Sequence, residues 1–189
     1  PPQPPTLVGS ERCSACHQTE YDAWQGSHHH EAERLPEADR DRGLASGTLP
    51  DGSVAVRAIG TDPLVQYLVS GDRGRLQVHA TAWDPAKEEW FDVFGPADPR
   101  EPGDWGHWTG RGMMWNSMCA SCHVTGLRKG YDATTDTHDT RYEELGVGCE
   151  SCHGPGSAHV EEPTTDLVRP DLDTCATCHA RRSPLTEDF

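Results

Sequence analysis

The chain has 189 residues, with 16 Lys and Arg against 31 Asp and Glu for a formal charge of −15, and only 34% hydrophobic residues beside 19 Gly and 15 Pro. An apolar core built from side chains alone would be thin, and the negative field repels nucleic acid and anionic lipid surfaces, so neither is an expected partner. No apolar run approaches the roughly 18 residues that a membrane-spanning helix needs, so no membrane span is expected.

The opening Pro1-Pro2-Gln3-Pro4-Pro5 has neither a basic stretch nor an apolar one, and reads as the start of a mature chain whose leader has been removed. Next comes Cys13-Ser14-Ala15-Cys16-His17, the first of four Cys-x-x-Cys-His motifs. The others run from Cys119 through Cys122 to His123, from Cys149 through Cys152 to His153, and from Cys175 through Cys178 to His179, and together they use all 8 cysteines. On one helical turn, residues i and i+3 share a face, so both sulfurs can bond the two vinyl groups of one porphyrin. The histidine that follows then lies beneath the ring and ligates its iron. Disulfides or structural zinc would not require a histidine after each second cysteine. With 11 His in the chain, four such placements by accident have odds on the order of one in a hundred thousand. The expected cofactors are four haem c, and their porphyrins would supply the missing apolar core. The chain without them is expected to be largely unfolded.

Beyond the first motif, Tyr21, Trp24 and Ser27 lead into His28-His29-His30 on what reads as a helix continuing from His17. At about 1.5 Å per residue these histidines lie roughly 16–20 Å along it, out of reach of the first haem, and so serve another. Adjacent helical side chains point about 100° apart, so two of them can serve different irons. Residues 53–59, 64–69, 75–83 and 89–94 are short β-like runs bounded by turn residues, a small meander or hairpin insert. Residues 96–112, rich in Pro, Gly and Trp, read as irregular coil. Within them His107 sits between Trp105 and Trp108, indoles suited to pack on a porphyrin face.

Seven histidines lie outside the motifs: His28, His29, His30, His79, His107, His138 and His159. An axial position filled by a side chain makes a haem an electron carrier; an open one lets it bind and transform a ligand. His159 follows Gly154-Pro155-Gly156, a turn too tight to bring it round to the far face of the third haem, so it serves a neighbouring one. His28, His29, His107 and His159 are the candidate distal ligands. His79, in a β-like run, and His138, in a polar stretch, are read as non-ligands. Met113, Met114 and Met118 offer thioether alternatives, Met118 reading first as packing. Glu150, inside the third motif, reads as a surface carboxylate.

The fold expected from these elements is mostly irregular with short α-helices, a haem-packed multihaem cytochrome c with a small β-rich insert between the first and second motifs. It divides into a first haem segment (1–30), the insert (31–112) and a three-haem segment (113–189), forming a single tetrahaem unit over 1–189.

Residues 15–29, together with Gln66-Tyr67-Leu68-Val69, His107-Trp108-Thr109-Gly110-Arg111, Trp115-Asn116-Ser117-Met118-Cys119 and the run from Gly148 to His159, carry a further likeness. They resemble multihaem cytochromes related to the tetrahaem electron-transfer partner of hydroxylamine oxidoreductase. The resemblance implies ligand roles for His29, His107 and His159. Many members of that family continue into further haem motifs and a tetratricopeptide array, whereas this chain stops at Phe189. The design is also similar to tetrahaem cytochromes that form extracellular filaments with histidine ligation across subunits.

These readings converge on electron transfer through four low-spin haems in a periplasmic or extracellular protein without a catalytic site. The expected partners are redox proteins or further copies of the chain in a homopolymer. The alternative is a haem enzyme acting on a small nitrogen or oxygen species at one open-coordination haem.

Overall fold

A computed structural model describes residues 4–180 of the chain. The Pro1-Pro2-Gln3 opening and the tail from 181 to Phe189 lie outside the described residues.

All α-helices among the described residues are short. They are α1 (Ser10–Ser14), α2 (Gln18–Gln25), α3 (Trp115–Met118), α4 (Ala120–His123), α5 (Cys149–His153), α6 (Ser157–Glu161) and α7 (Leu172–His179). Glycine limits several of them: α5 stops at Gly154, whose φ of 74° suits a residue without a Cβ. α7 opens on a capping box in which the Asp171 carboxylate accepts from the Thr174 backbone N–H at 2.9 Å.

The insert is a four-stranded antiparallel meander of β1 (Ala55–Ile59), β2 (Val65–Ser70), β3 (Leu76–Asp84) and β4 (Glu89–Asp92), paired in sequence order. Each of the four β-like runs forms a strand. The first starts two residues late because the Asp51 carboxylate holds Ser53 in a turn, and the last stops at Asp92, whose Oδ1 accepts from Phe94 and Gly95 instead. Two-stranded pairs follow, β5 (Val124–Thr125) with β8 (Glu144–Leu145) and β6 (Tyr131–Asp132) with β7 (Thr137–His138).

The side-chain core is as small as the composition implies and is centred on the sheet. On one side Leu49, Ala58, Val65, Tyr67 and Val69 pack with Trp83, Trp90 and Trp108. On the other, Leu68 and Val78 meet Trp115, Ala120 and Val124. The second cluster joins the insert directly to the helix of the second motif. A buried ionic network ties the segment before the sheet to β2: Asp41, 1% exposed, accepts from Arg34 at 2.7 and 2.9 Å, from the Glu37 backbone N–H at 2.6 Å and from the Tyr67 hydroxyl at 2.8 Å.

The segment after the first motif differs from the expected continuous helix. α2 closes at Gly26, where the Ser27 backbone N–H and hydroxyl both donate to the Trp24 carbonyl, at 2.9 and 2.6 Å. His30–Ala32 then form a separate 3-10 turn. Gly26 and Ser27 satisfy the carbonyls that a longer helix would have used, so the chain bends before His28.

Candidate haem-binding site

Each motif sits on a helical turn. The His17 backbone N–H donates to the Cys13 carbonyl at 2.9 Å, so the turn persists across the end of α1. The second and third motifs lie on α4 and α5, and the fourth on the last turn of α7.

The four motifs converge although the chain separates the first from the other three by more than a hundred residues. The Cys13 thiol meets that of Cys149; in the unmodified chain burial, and then Cys149 beside it, push the Cys13 thiol up to about 11. Cys152 lies close enough to Cys175 that the neighbouring charge, after burial, raises its own thiol. Cys178 meets Cys122, and burial raises the Cys178 thiol as well. The motif cysteines therefore neighbour one another in the order first, third, fourth, second.

Two carboxylates hold the first motif against the third. Glu150, 6% exposed, accepts from the backbone N–H groups of Val8 (3.0 Å), Gly9 (2.8 Å) and Gly156 (2.7 Å). Glu144 accepts from the Ser10 backbone N–H and hydroxyl at 3.1 and 2.7 Å. Glu150 is thus a buried clamp, which corrects its reading as a surface carboxylate. Its place in the third motif gives no periodicity signal for donors some 140 residues away. Glu150→Ala orphans those three donors at roughly 1 kcal/mol each, and should lower the melting temperature of the loaded protein by about 6–12 °C for a chain of this size. Differential scanning calorimetry checks this, and Glu150→Gln, which keeps one acceptor oxygen, should fall between the two.

The candidate axial histidines fall into distinct groups. The His17 ring lies 6.3 Å from that of His159, centroid to centroid, at an interplanar angle of 24°, and the His29 ring 6.1 Å from that of His179 at 62°. Two imidazoles sharing one metal are separated by twice the sum of a metal–nitrogen bond and roughly 1 Å to the ring centre, about 6 Å in all. Neither His123 nor His153 meets a second histidine ring in this way among the described residues. His28 is exposed. His107 keeps its Nδ1 within 2.8 Å of the Thr109 hydroxyl oxygen and its ring beside Trp108.

Hydrogen bonds to the ring nitrogens test whether these residues suit a haem. The Nδ1 atoms of His123, His153 and His159 lie 2.8, 3.0 and 2.8 Å from the carbonyl oxygens of Ala32, Val168 and Thr165. A carbonyl only accepts, so each Nδ1 carries the hydrogen and each Nε2 keeps its lone pair for a metal. His79 differs: its Nδ1 accepts from the Thr81 backbone N–H at 3.0 Å, and its Nε2 faces Asp51 at 3.1 Å. The His138 ring lies 4.8 Å from that of Tyr131 in a tilted arrangement, and burial, then the nearby Arg75, hold its pKa below the usual histidine range. The paired thiols and free Nε2 atoms fit haem c. Met114, which is buried, and Met118 both line a hollow of about 370 Å³ with Trp105 and Tyr131. Another cavity, about 700 Å³, lies on the sheet beside Trp108 and Arg75 and has no motif residue in its wall.

Comparison with known proteins agrees with this chemistry. Residues 12–51 and 108–154 match the family described as cytochrome c554 and c-prime. These stretches hold the first three motifs and omit both the sheet and the fourth. The C-type polyheme cytochrome OmcB of Geobacter sulfurreducens is 33% identical over 73 residues, which is 37% of this chain and 10% of OmcB. The outer cell wall cytochrome OcwA superposes with a TM-score of 0.66 at 24% identity, covering 92% of this chain and 37% of OcwA. The undecaheme cytochrome from the S-layer of Carboxydothermus ferrireducens gives the same TM-score at 21% identity, over 95% of this chain and 26% of that one. The chain therefore spans well under two thirds of each of these relatives, and the two structural likenesses are of fold. The motifs, the free ligand nitrogens and this partial family match support a multihaem c-type cytochrome, which the chain resembles over the matched residues.

Proposed function

We propose that this chain carries four haem c groups and passes electrons along them in the order first, third, fourth, second, without substrate chemistry. The observation that carries this reading is the proximity of the motif cysteines: Cys13 meets Cys149, Cys178 meets Cys122, and Cys152 lies within electrostatic reach of Cys175. Haem bound at these positions supplies a one-electron iron couple. The protein's part is geometric: Cys13, Cys16, Cys119, Cys122, Cys149, Cys152, Cys175 and Cys178 attach the rings, and His17, His123, His153 and His179 ligate from one side. His159 serves the first motif's haem and His29 the fourth's, as their ring spacings support. His28 and His107 are assigned to the remaining two irons. In this structure His107 Nδ1 accepts from the Thr109 backbone N–H at 3.2 Å, so ligation through Nε2 requires that contact to open and the ring to take its other tautomer.

The resemblance to the tetrahaem partner of hydroxylamine oxidoreductase agrees with a carrier of this size, and the surface-exposed relatives favour a periplasmic or extracellular site. No helix among the described residues is long and apolar enough to cross a membrane. The charge of −15 favours basic redox partners. His29 supplies the fourth motif from within the chain, which removes the main demand for a ligand from another copy. A homopolymer closed by cross-ligation is the competing assembly.

Electron paramagnetic resonance of the oxidised loaded protein, with its haem content measured on the same sample, tests the reading. Four haems, all low-spin, in discrete particles are expected. A high-spin component that shifts with cyanide or nitric oxide would favour the enzyme reading, and filaments in electron micrographs the polymer.

A further inference from the structure

Glu33 is the buried acid that electron transfer leaves unexplained. Its side chain has no exposure, and its Oε1 has no hydrogen-bond partner, while Oε2 accepts from the Trp115 indole N–H at 2.6 Å. The nearest cation is the Arg57 guanidinium on β1, whose Nε lies 3.9 Å from Oε1 and is itself buried without a hydrogen bond. Arg57 donates onward to the Tyr142 hydroxyl at 2.6 Å, and Tyr142 edges onto Trp115. On Glu33's own segment the charges are already matched, Glu31 with Arg40 and Arg34 with Asp41. Burial pushes the Glu33 carboxyl up to about 7, against the Trp115 hydrogen bond and Arg57, which act to lower it.

The position of this acid ties it to one haem. Ala32, the residue before it, offers the carbonyl that holds His123 Nδ1, and Trp115 packs in the cluster of Ala120 and Cys119 beside the second motif. We propose that Glu33 is a proton-binding site coupled to the haem carried by Cys119, Cys122 and His123. For each electron delivered to that haem by a redox partner or an electrode, Glu33 Oε1 takes one proton from solvent and no other bond changes. An added electron makes the surroundings more negative, and a buried carboxyl feels it through a low dielectric, so reduction raises its proton affinity. The potential of that haem therefore falls as pH rises between the oxidised-state and reduced-state proton affinities of Glu33, and is level outside that window. The proposal rests on haem attachment at the second motif.

The test is redox titration of the loaded protein by spectroelectrochemistry between about pH 5 and 9, compared with Glu33→Gln, which keeps an acceptor for Trp115. In the native protein one transition should move negative with pH, at most by about 59 mV per tenfold fall in proton activity, and in the variant it should be level. Reduction-minus-oxidation infrared spectra of the native protein alone provide a second readout if the variant fails to mature. A protonated-carboxyl band gained on reduction and shifted in heavy water is expected. An unchanged pH slope in Glu33→Gln, or no such band in the native protein, overturns the proposal. Loss of the haem spectrum at the second motif would instead overturn the haem assignment, so the two failures are distinct.

Discussion

Replacing His159 with alanine should convert about one quarter of the haem from low-spin to high-spin and open it to carbon monoxide, leaving the rest unchanged. The fraction follows from one axial position among four motifs, and the site from the 6.3 Å approach of His159 to His17. His29→Ala should do the same at the fourth motif, and the double variant should convert about half. Removing a histidine that donates to the iron also raises the affected potential, because the oxidised state loses its strong axial donor. His79→Ala is the control: both of its ring nitrogens are engaged by Thr81 and Asp51, so it should cost stability without altering spin state. Magnetic circular dichroism, read in the oxidised and the carbonmonoxy-reduced forms, measures all four proteins.

The largest expected loss of stability comes from Asp41→Ala. Arg34, 8% exposed, would keep a buried positive charge with Glu31 Oε2, 3.4 Å from its Nε, as the remaining acid. The Tyr67 hydroxyl, on a fully buried residue, would lose its acceptor. Removing one partner of a buried pair costs about 3–5 kcal/mol, which for a chain of this size corresponds to roughly 6–20 °C in melting temperature. The same network makes stability depend on acid. Arg34, the Glu37 backbone N–H and Tyr67 together hold the Asp41 carboxyl below the ordinary aspartate range despite its burial. Its contribution is therefore present above the unfolded value of about 3.9 and lost as pH falls through the lower folded value. Melting temperature measured from pH 7 down to pH 3 should drop more steeply in the native protein than in Asp41→Asn.

The parts of the fold with a local cause are legible in the sequence. Val65, Tyr67 and Val69 fall on one face of β2, and turn residues such as Asp51 and Asp92 mark where strands begin and end. The Cys-x-x-Cys-His spacing carries the haem chemistry within five residues. What the sequence hides is long-range. Nothing in the first motif announces that Cys13 lies against Cys149 or that Glu150 accepts from Val8 and Gly9, because neither contact leaves a periodic trace. The helix expected to run on to His30 fails at Gly26 for a local reason that was present but outweighed by the pattern of Tyr21 and Trp24. Glu33 and Asp41 look like members of an acidic, solvated stretch, and only the fold, by placing Trp115 and Tyr67 over them, makes them buried acids.

The order of the haems is tested most directly by an atomic structure of the loaded protein with the irons located by anomalous scattering. The expected map has four irons, the first beside the third, the third beside the fourth and the fourth beside the second, with one iron between His17 and His159 and another between His29 and His179. An iron of the first motif nearer to that of the second than to that of the third, or His159 bound to any iron other than the first motif's, would contradict the account.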